Sequence, residues 1–406
     1  MKRLALAICA MGFALPAQAQ STSFAQAERG RYIVATANCR VCHTAPNGEP
    51  FAGSRAIHTP FGTIYTPNIT FEEHTGLGRW TKGEFYRALH EGVSRDGSQL
   101  YPAFPYPHFT KMPRQDVDAV YDYLATLPRI AKKKPDNELW FPLNWRRLVA
   151  GWNMMFFRKG EFVRDPTQSE EWNRGAYLVQ GPGHCAGCHT EKNLAGADKD
   201  SRDLMGGQLE NWAAPNIRGG RNGGLANWSR DEIVTFLKTG RNEHTGAMTR
   251  MGEVVTYSTQ LMTKDDLGAI ATYLKSLDSV ARPEAAQPSA AVMKAGGAIY
   301  ADNCSACHVS NGRGVPHIFA RLAGSNKLND PDPATIIRIV LEGARATPTK
   351  ARPTAFSMPA FNWKLTDEQV ASVISYVRAS WGNSGAPVDA SSVRHMREQL
   401  QQRPGG

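Results

Sequence analysis

Six of the chain's seven cysteines stand in three Cys-x-x-Cys-His strings, running from Cys39 to His43, from Cys185 to His189 and from Cys304 to His308. With 7 cysteines and 11 histidines in 406 residues, chance supplies about 0.003 such strings. The strings are therefore the reason these cysteines exist. Two thiols three residues apart lie on one side of a helical turn, and the histidine that follows reaches the same side. Such a set can bond the two vinyl groups of a porphyrin and ligate its iron. A structural zinc site would gather paired Cys-x-x-Cys units into one four-ligand cluster, whereas each string here sits inside its own repeat. A thioredoxin-like motif would need a βαβ setting, which the sequence lacks. Three covalently attached haem c groups are thus predicted. Their thioether partners are Cys39, Cys42, Cys185, Cys188, Cys304 and Cys307, and their proximal iron ligands are His43, His189 and His308.

The flanks repeat with the strings. Arg29-Gly30-Arg31-Tyr32 precedes the first and Arg174-Gly175-Ala176-Tyr177 the second, with a looser Gly296-Gly297-Ala298-Ile299-Tyr300 before the third. Downstream, Thr66-Pro67-Asn68-Ile69 echoes Ala214-Pro215-Asn216-Ile217, and Trp80-Thr81 echoes Trp228-Ser229. Each unit closes on an amphipathic helix in which Tyr123, Tyr273 or Tyr376 follows Asp116, Asp266 or Gln369 by seven residues, two turns on and on the same face. Thr366 with Gln369 reads as a capping box, and Thr263 with Asp266 as its relative. Gly- and Pro-rich stretches between such helices imply an all-α fold, three tandem class I cytochrome c-like domains wrapping their haems. The expected layout is domains at 21–130, 171–278 and 293–382, linkers at 131–170 and 279–292, and a polar tail at 383–406.

A methionine in the loop before a closing helix is the expected second axial ligand. Met358 fits in the third unit. In the second, Met251 is preferred over Met248, whose simpler role is core packing. In the first unit the corresponding position holds Phe104, which cannot ligate iron; His108 and Met112 are the nearest candidates, and an open iron is the third possibility. Met112 also suits an apolar staple at the helix entrance. Trp80 and Trp228 suit haem edges or ordinary packing equally. Arg55 and Arg202 could pair with haem propionates, although a solvated surface position is the simpler expectation for both.

Met1-Lys2-Arg3, the apolar run Leu4 to Leu15 and Ala17-Gln18-Ala19 read as a secretory leader over residues 1–19, hence an exported, periplasmic protein. The run is too short to span a bilayer, and Ile8 is too large to precede a lipidated Cys9. The net charge of +10 permits an anionic surface or an acidic protein partner; no nucleic-acid partner is expected. The linker holds two apolar stretches, Trp140 to Trp145 and Trp152 to Phe157, near Arg146, Arg147, Arg158 and Lys159. These suit a peripheral membrane contact or a partner, with burial between domains as the plain alternative.

Over nearly its whole length the sequence resembles the triple-haem cytochrome c subunits of membrane-bound periplasmic dehydrogenases. The resemblance rests on Ala37-Asn38, Leu100-Tyr101-Pro102-Ala103, Gly183-His184 and Thr239-Gly240-Arg241-Asn242, together with the three haem strings. It implies an electron-transfer subunit working with a quinoprotein, flavoprotein or molybdenum-type catalytic subunit and passing electrons to ubiquinone or a terminal oxidase. It also implies a methionine where this chain has Phe104. A peroxidase-like enzyme using the first haem and a freely diffusing electron shuttle are the competing expectations.

Overall fold

Three pairs of crossing helices, one pair per repeat, organise the chain. A computed structural model describes residues 17–402 apart from 211 and 282–284, with side chains from Phe24 onward. Cys9 and the bulk of the expected leader lie outside the described residues. Ala17–Thr36 packs on Arg114–Ala125, Glu170–Gln180 on Lys264–Ser276, and Ala290–Asn303 on Asp367–Arg378.

The repeated glycine explains how the helices approach. A Cβ at Gly30, Gly175 or Gly296 would lie 1.9, 1.9 or 2.2 Å from the carbonyl oxygen of Ala119, Ala269 or Ser372. The same Cβ would lie 2.8, 2.9 or 2.6 Å from the Cβ of Tyr123, Tyr273 or Tyr376. The glycine of each opening helix and the aromatic of each closing helix are therefore two halves of one contact. Only a residue without a side chain admits it. Thr366 and Gln369 form the expected capping box, and the Thr263 hydroxyl accepts from the Asp266 N–H. Two further boxes, Thr81 with Glu84 and Ser229 with Glu232, start the middle helices Lys82–Glu91 and Arg230–Thr239.

Each repeat has its own apolar core: Val34, Phe85 and Leu124 in the first, Leu178, Ile233 and Leu274 in the second, and Tyr300, Leu341 and Ile374 in the third. Helices dominate, and the strands are short. Ala56–Thr59 and Gly62–Tyr65 form a hairpin with Ile57 opposite Ile64, and Glu138–Leu139 adds a third strand. Among the described residues no helix is long and apolar enough to cross a membrane.

The first two repeats face each other through a reciprocal arrangement. Arg29 pairs with Asp116 and Arg174 with Asp266, each within its own repeat. The tyrosine three residues after each arginine reaches across. Tyr32 donates to Asp266 at 2.6 Å, and Tyr177 donates to Asp116. Each carboxylate thus receives an arginine from its own repeat and a phenol from the other, as a local two-fold would produce. The third repeat joins differently. Its 344–356 loop lies along the second repeat, with Thr347 N–H on the Ala247 carbonyl and the Thr349 hydroxyl on the Thr239 carbonyl, both at 3.0 Å.

Two segments outside the repeats take definite positions. Trp140, Phe141 and Met154 of the linker are 66, 74 and 80% exposed, whereas Val149 is buried. Polar bonds hold the segment in place from its other side: Arg146 to the Gln99 carbonyl, Asn153 to the Gln99 and Tyr106 side chains, and Trp152 Nε1 to the Ala195 carbonyl. The polar stretch after residue 382 is ordered over much of its length. It forms the helix Ala390–Gln401, capped by Asp389, which buries Val393 and Met396 in the third core.

Candidate haem-binding centres

Each Cys-x-x-Cys-His string forms a single helical turn closed by the same bond. The N–H of His43, His189 or His308 donates to the carbonyl of Cys39, Cys185 or Cys304, at 2.9 Å in every case. One turn of α-helix sets the two thiols and the imidazole on a common side. All six thiols are free rather than disulfide-bonded. Burial pushes the Cys39 and Cys185 thiols up to about 12, and those of Cys188 and Cys304 up to about 11. No cluster of three or more histidine, cysteine and carboxylate side chains suited to a metal ion occurs among the described residues.

The histidines carry the more telling geometry. Nδ1 of His43, His189 and His308 lies 2.8 Å from the backbone carbonyl of Pro67, Pro215 and Ala320, respectively. A carbonyl only accepts, so the proton resides on Nδ1 and Nε2 keeps its lone pair. Burial lowers all three imidazole pKa values, outweighing the carbonyl contact, and so favours the neutral ring. A neutral imidazole with its far nitrogen anchored is the form in which histidine ligates a metal. Two unpaired thiols beside such an imidazole, three times over, fit a covalently held haem.

The Pro-Asn-Ile echo in the sequence now has a role. It supplies the carbonyl that holds the histidine of the string in the first two repeats, and Ala320 does so in the third without a proline. These three carbonyls are the functional groups that sequence reasoning missed. The echo flagged two of them without revealing their purpose.

Met251 lies in the first turn of the helix Thr249–Tyr257, and Met358 pairs with Ala344 in a short antiparallel ladder. Met251 lies between the helices Arg230–Thr239 and Lys264–Ser276, and Met358 between Ala334–Glu342 and Asp367–Arg378. The backbone of Met248 bridges to Ala346 of the third repeat. Met112 is 1% exposed in the first core. His108 Nε2 lies 3.1 Å from Asp198 of the second repeat. Phe104 packs on Phe109, with ring centroids 5.5 Å apart.

Arg55 departs from the expected solvated position. It is largely buried, donating to the Val41 carbonyl at 2.8 Å and to both carboxylate oxygens of Glu253 at 2.9 and 3.0 Å. The guanidinium therefore ties the first haem string to the second repeat. Arg202 remains half-exposed, 3.6 Å from Glu191. Trp228 is buried and stacked on His244.

Comparison with known proteins agrees with this geometry. The cytochrome c family profile matches residues 27–128, 173–278 and 293–381, each match enclosing one haem string. The chain is 36% identical to the cytochrome c subunit of a quinone-type alcohol dehydrogenase from Gluconacetobacter polyoxogenes, over 98% of this chain and 91% of that protein. It is 36% identical to the cytochrome c subunit of gluconate 2-dehydrogenase from Pantoea cypripedii, over 97 and 94%. It is 33% identical to the cytochrome subunit of fructose dehydrogenase from Gluconobacter japonicus, over 94 and 84%. The chain belongs to the cytochrome c family, in the branch that holds the dehydrogenase cytochrome c subunits.

Proposed function

We propose that this chain is the electron-transfer subunit of a dehydrogenase complex, built from three tandem class I cytochrome c domains. The observation that carries this reading is the thrice-repeated set of two free thiols and an imidazole fixed through Nδ1. In each domain the cysteine pair tethers the porphyrin edge, and His43, His189 or His308 offers Nε2 to the iron. Met251 and Met358 would be the further iron ligands in the second and third domains. When bound, each haem supplies one-electron redox chemistry at a potential set by axial ligand and burial. The polypeptide tethers, orients and shields these groups and holds their spacing through the bonds that lock the repeats together. A quinoprotein, flavoprotein or molybdenum-type catalytic subunit is the donor, and ubiquinone or a terminal oxidase of the inner membrane is the acceptor.

The exposed face of residues 140–158 meets the periplasmic surface of that membrane. Trp140, Phe141, Trp145 and Met154 project outward, and Arg147 and Arg158 lie exposed on the same segment. Amphipathic aromatics beside cations suit an anionic headgroup layer. A freely diffusing shuttle would gain nothing from such a patch.

Purification of the haem-loaded protein from its native membranes tests both parts. A dehydrogenase should co-purify, and adding that enzyme's substrate should reduce the haem absorption. Haems that stay oxidised with substrate yet are reduced by dithionite would refute the assignment. The triple variant W140S/F141S/W145S should keep the visible spectrum. Its binding to phosphatidylglycerol-containing vesicles should fall on the order of a thousandfold, since each of the three aromatics contributes about 1.5 kcal/mol or more when buried and about 1.4 kcal/mol is tenfold. Unchanged flotation with the vesicles would refute the membrane contact.

A further inference from the structure

The first two repeats reach the loop before the closing helix by the same route. Gly92 and Gly240 each end the middle helix in the left-handed region, at φ 68 and 76°. The chain then turns back so that Leu100 N–H donates to the Gly92 carbonyl and Ala247 N–H to the Gly240 carbonyl, both at 2.7 Å. Four residues beyond Leu100 stands Phe104, and four beyond Ala247 stands Met251. The backbone register therefore puts a phenyl ring in the first repeat at the position of the second repeat's thioether.

Of the other candidate donors of the first repeat, Met112 and His108 are engaged elsewhere and His90 lies off the core face of its helix. Met112 immediately precedes the closing-helix entrance, where the second repeat has Met262 and the third Leu365, and all three are buried in their cores. Because the second repeat carries both Met262 and Met251, the Met112 position is a packing position that coexists with a separate ligand. His108 is held by Asp198, which Lys192 also contacts. His90 is buried with its Nδ1 unpaired, but its ring stacks on Tyr86, whose hydroxyl bonds Glu161 of the linker, while the core face of that helix is made by Phe85, Ala88 and Leu89. His58 and His74 are exposed.

We propose that the iron of the first centre has no methionine or histidine on its second axial side and takes a small neutral diatomic ligand there. This rests on the three-haem reading above. The probe is carbon monoxide, titrated into the dithionite-reduced, fully haem-loaded protein and followed by visible absorption. One molecule should bind per three haems, and the oxidised protein should show a single high-spin ferric signal by electron paramagnetic resonance. In F104M, a substitution of similar volume, carbon monoxide affinity should fall at least tenfold and the high-spin signal should disappear. No binding by the wild type, binding at two or three haems, or unchanged binding by F104M would overturn the proposal. A haem assay on the same sample separates the two readings. Three haems without carbon monoxide binding would refute only the open site, and fewer than three would refute the reading beneath it.

Discussion

Gly175→Ala is expected to destabilise the haem-loaded protein by about 3 kcal/mol, at the upper end of overpacking costs. The added methyl would sit 1.9 Å from the Ala269 carbonyl oxygen and 2.9 Å from the Tyr273 Cβ. Neither neighbour is the free end of a flexible side chain, so the two helices must separate. Separation would loosen the core of the second repeat and with it the turn that carries Cys185 and His189. Gly151→Ala is the matched control. Gly151 lies inside the helix Leu148–Phe156, and a Cβ there meets nothing within 4 Å. Alanine's better helix propensity should leave stability unchanged or raise it by up to about 1 kcal/mol. Denaturant melting of both variants checks the pair, and a Gly175→Ala protein as stable as wild type would contradict the crossing described above.

Asp116→Ala should cost about 3 kcal/mol and weaken the junction between the first two repeats. The change strips a buried phenol, Tyr177, and the Arg29 guanidinium of their shared acceptor. An unpaired buried donor costs about 1–3 kcal/mol, more where a charge is involved. Asp266→Ala, its counterpart, should cost less. The Asp266 side chain is 13% exposed against 4% for Asp116, so water can replace part of what is lost. Calorimetric melting of both variants should rank them in that order; equal or reversed effects would contradict it. Burial pushes the Asp266 carboxyl up, but hydrogen bonds from Arg174 and Tyr32 outweigh it and hold the group below its ordinary value. Its contribution is therefore complete above the unfolded pKa of about 3.9. It is lost as pH falls through the lower folded value.

What the sequence discloses and what it hides have physical reasons. The haem strings are legible because covalent chemistry needs particular side chains at a particular spacing. The helix pairs are legible because glycine and tyrosine recur at matching positions, although their contact appears only when the helices cross. The carbonyls of Pro67, Pro215 and Ala320 are hidden because every residue owns a carbonyl, so no residue type marks an acceptor. Arg55 reads as solvated because its partner Glu253 lies in another repeat. A charge pair across repeats leaves no local pattern. The linker's composition does not tell an outward from an inward apolar face. Gln99, Tyr106 and Ala195 decide that by fastening the polar groups of the segment to the body. In the first repeat, spacing alone marks Phe104, and the shared bond to the helix-ending glycine gives that spacing a structural basis.

The account depends on three porphyrins bonded to six named thiols. Intact-mass measurement of the mature protein, with alkylation of any free thiols, tests this directly. A gain of three haem masses and no alkylation at Cys39, Cys42, Cys185, Cys188, Cys304 or Cys307 is the predicted result. A mass lacking any one of the three groups, with the corresponding cysteine pair open to alkylation, would contradict it.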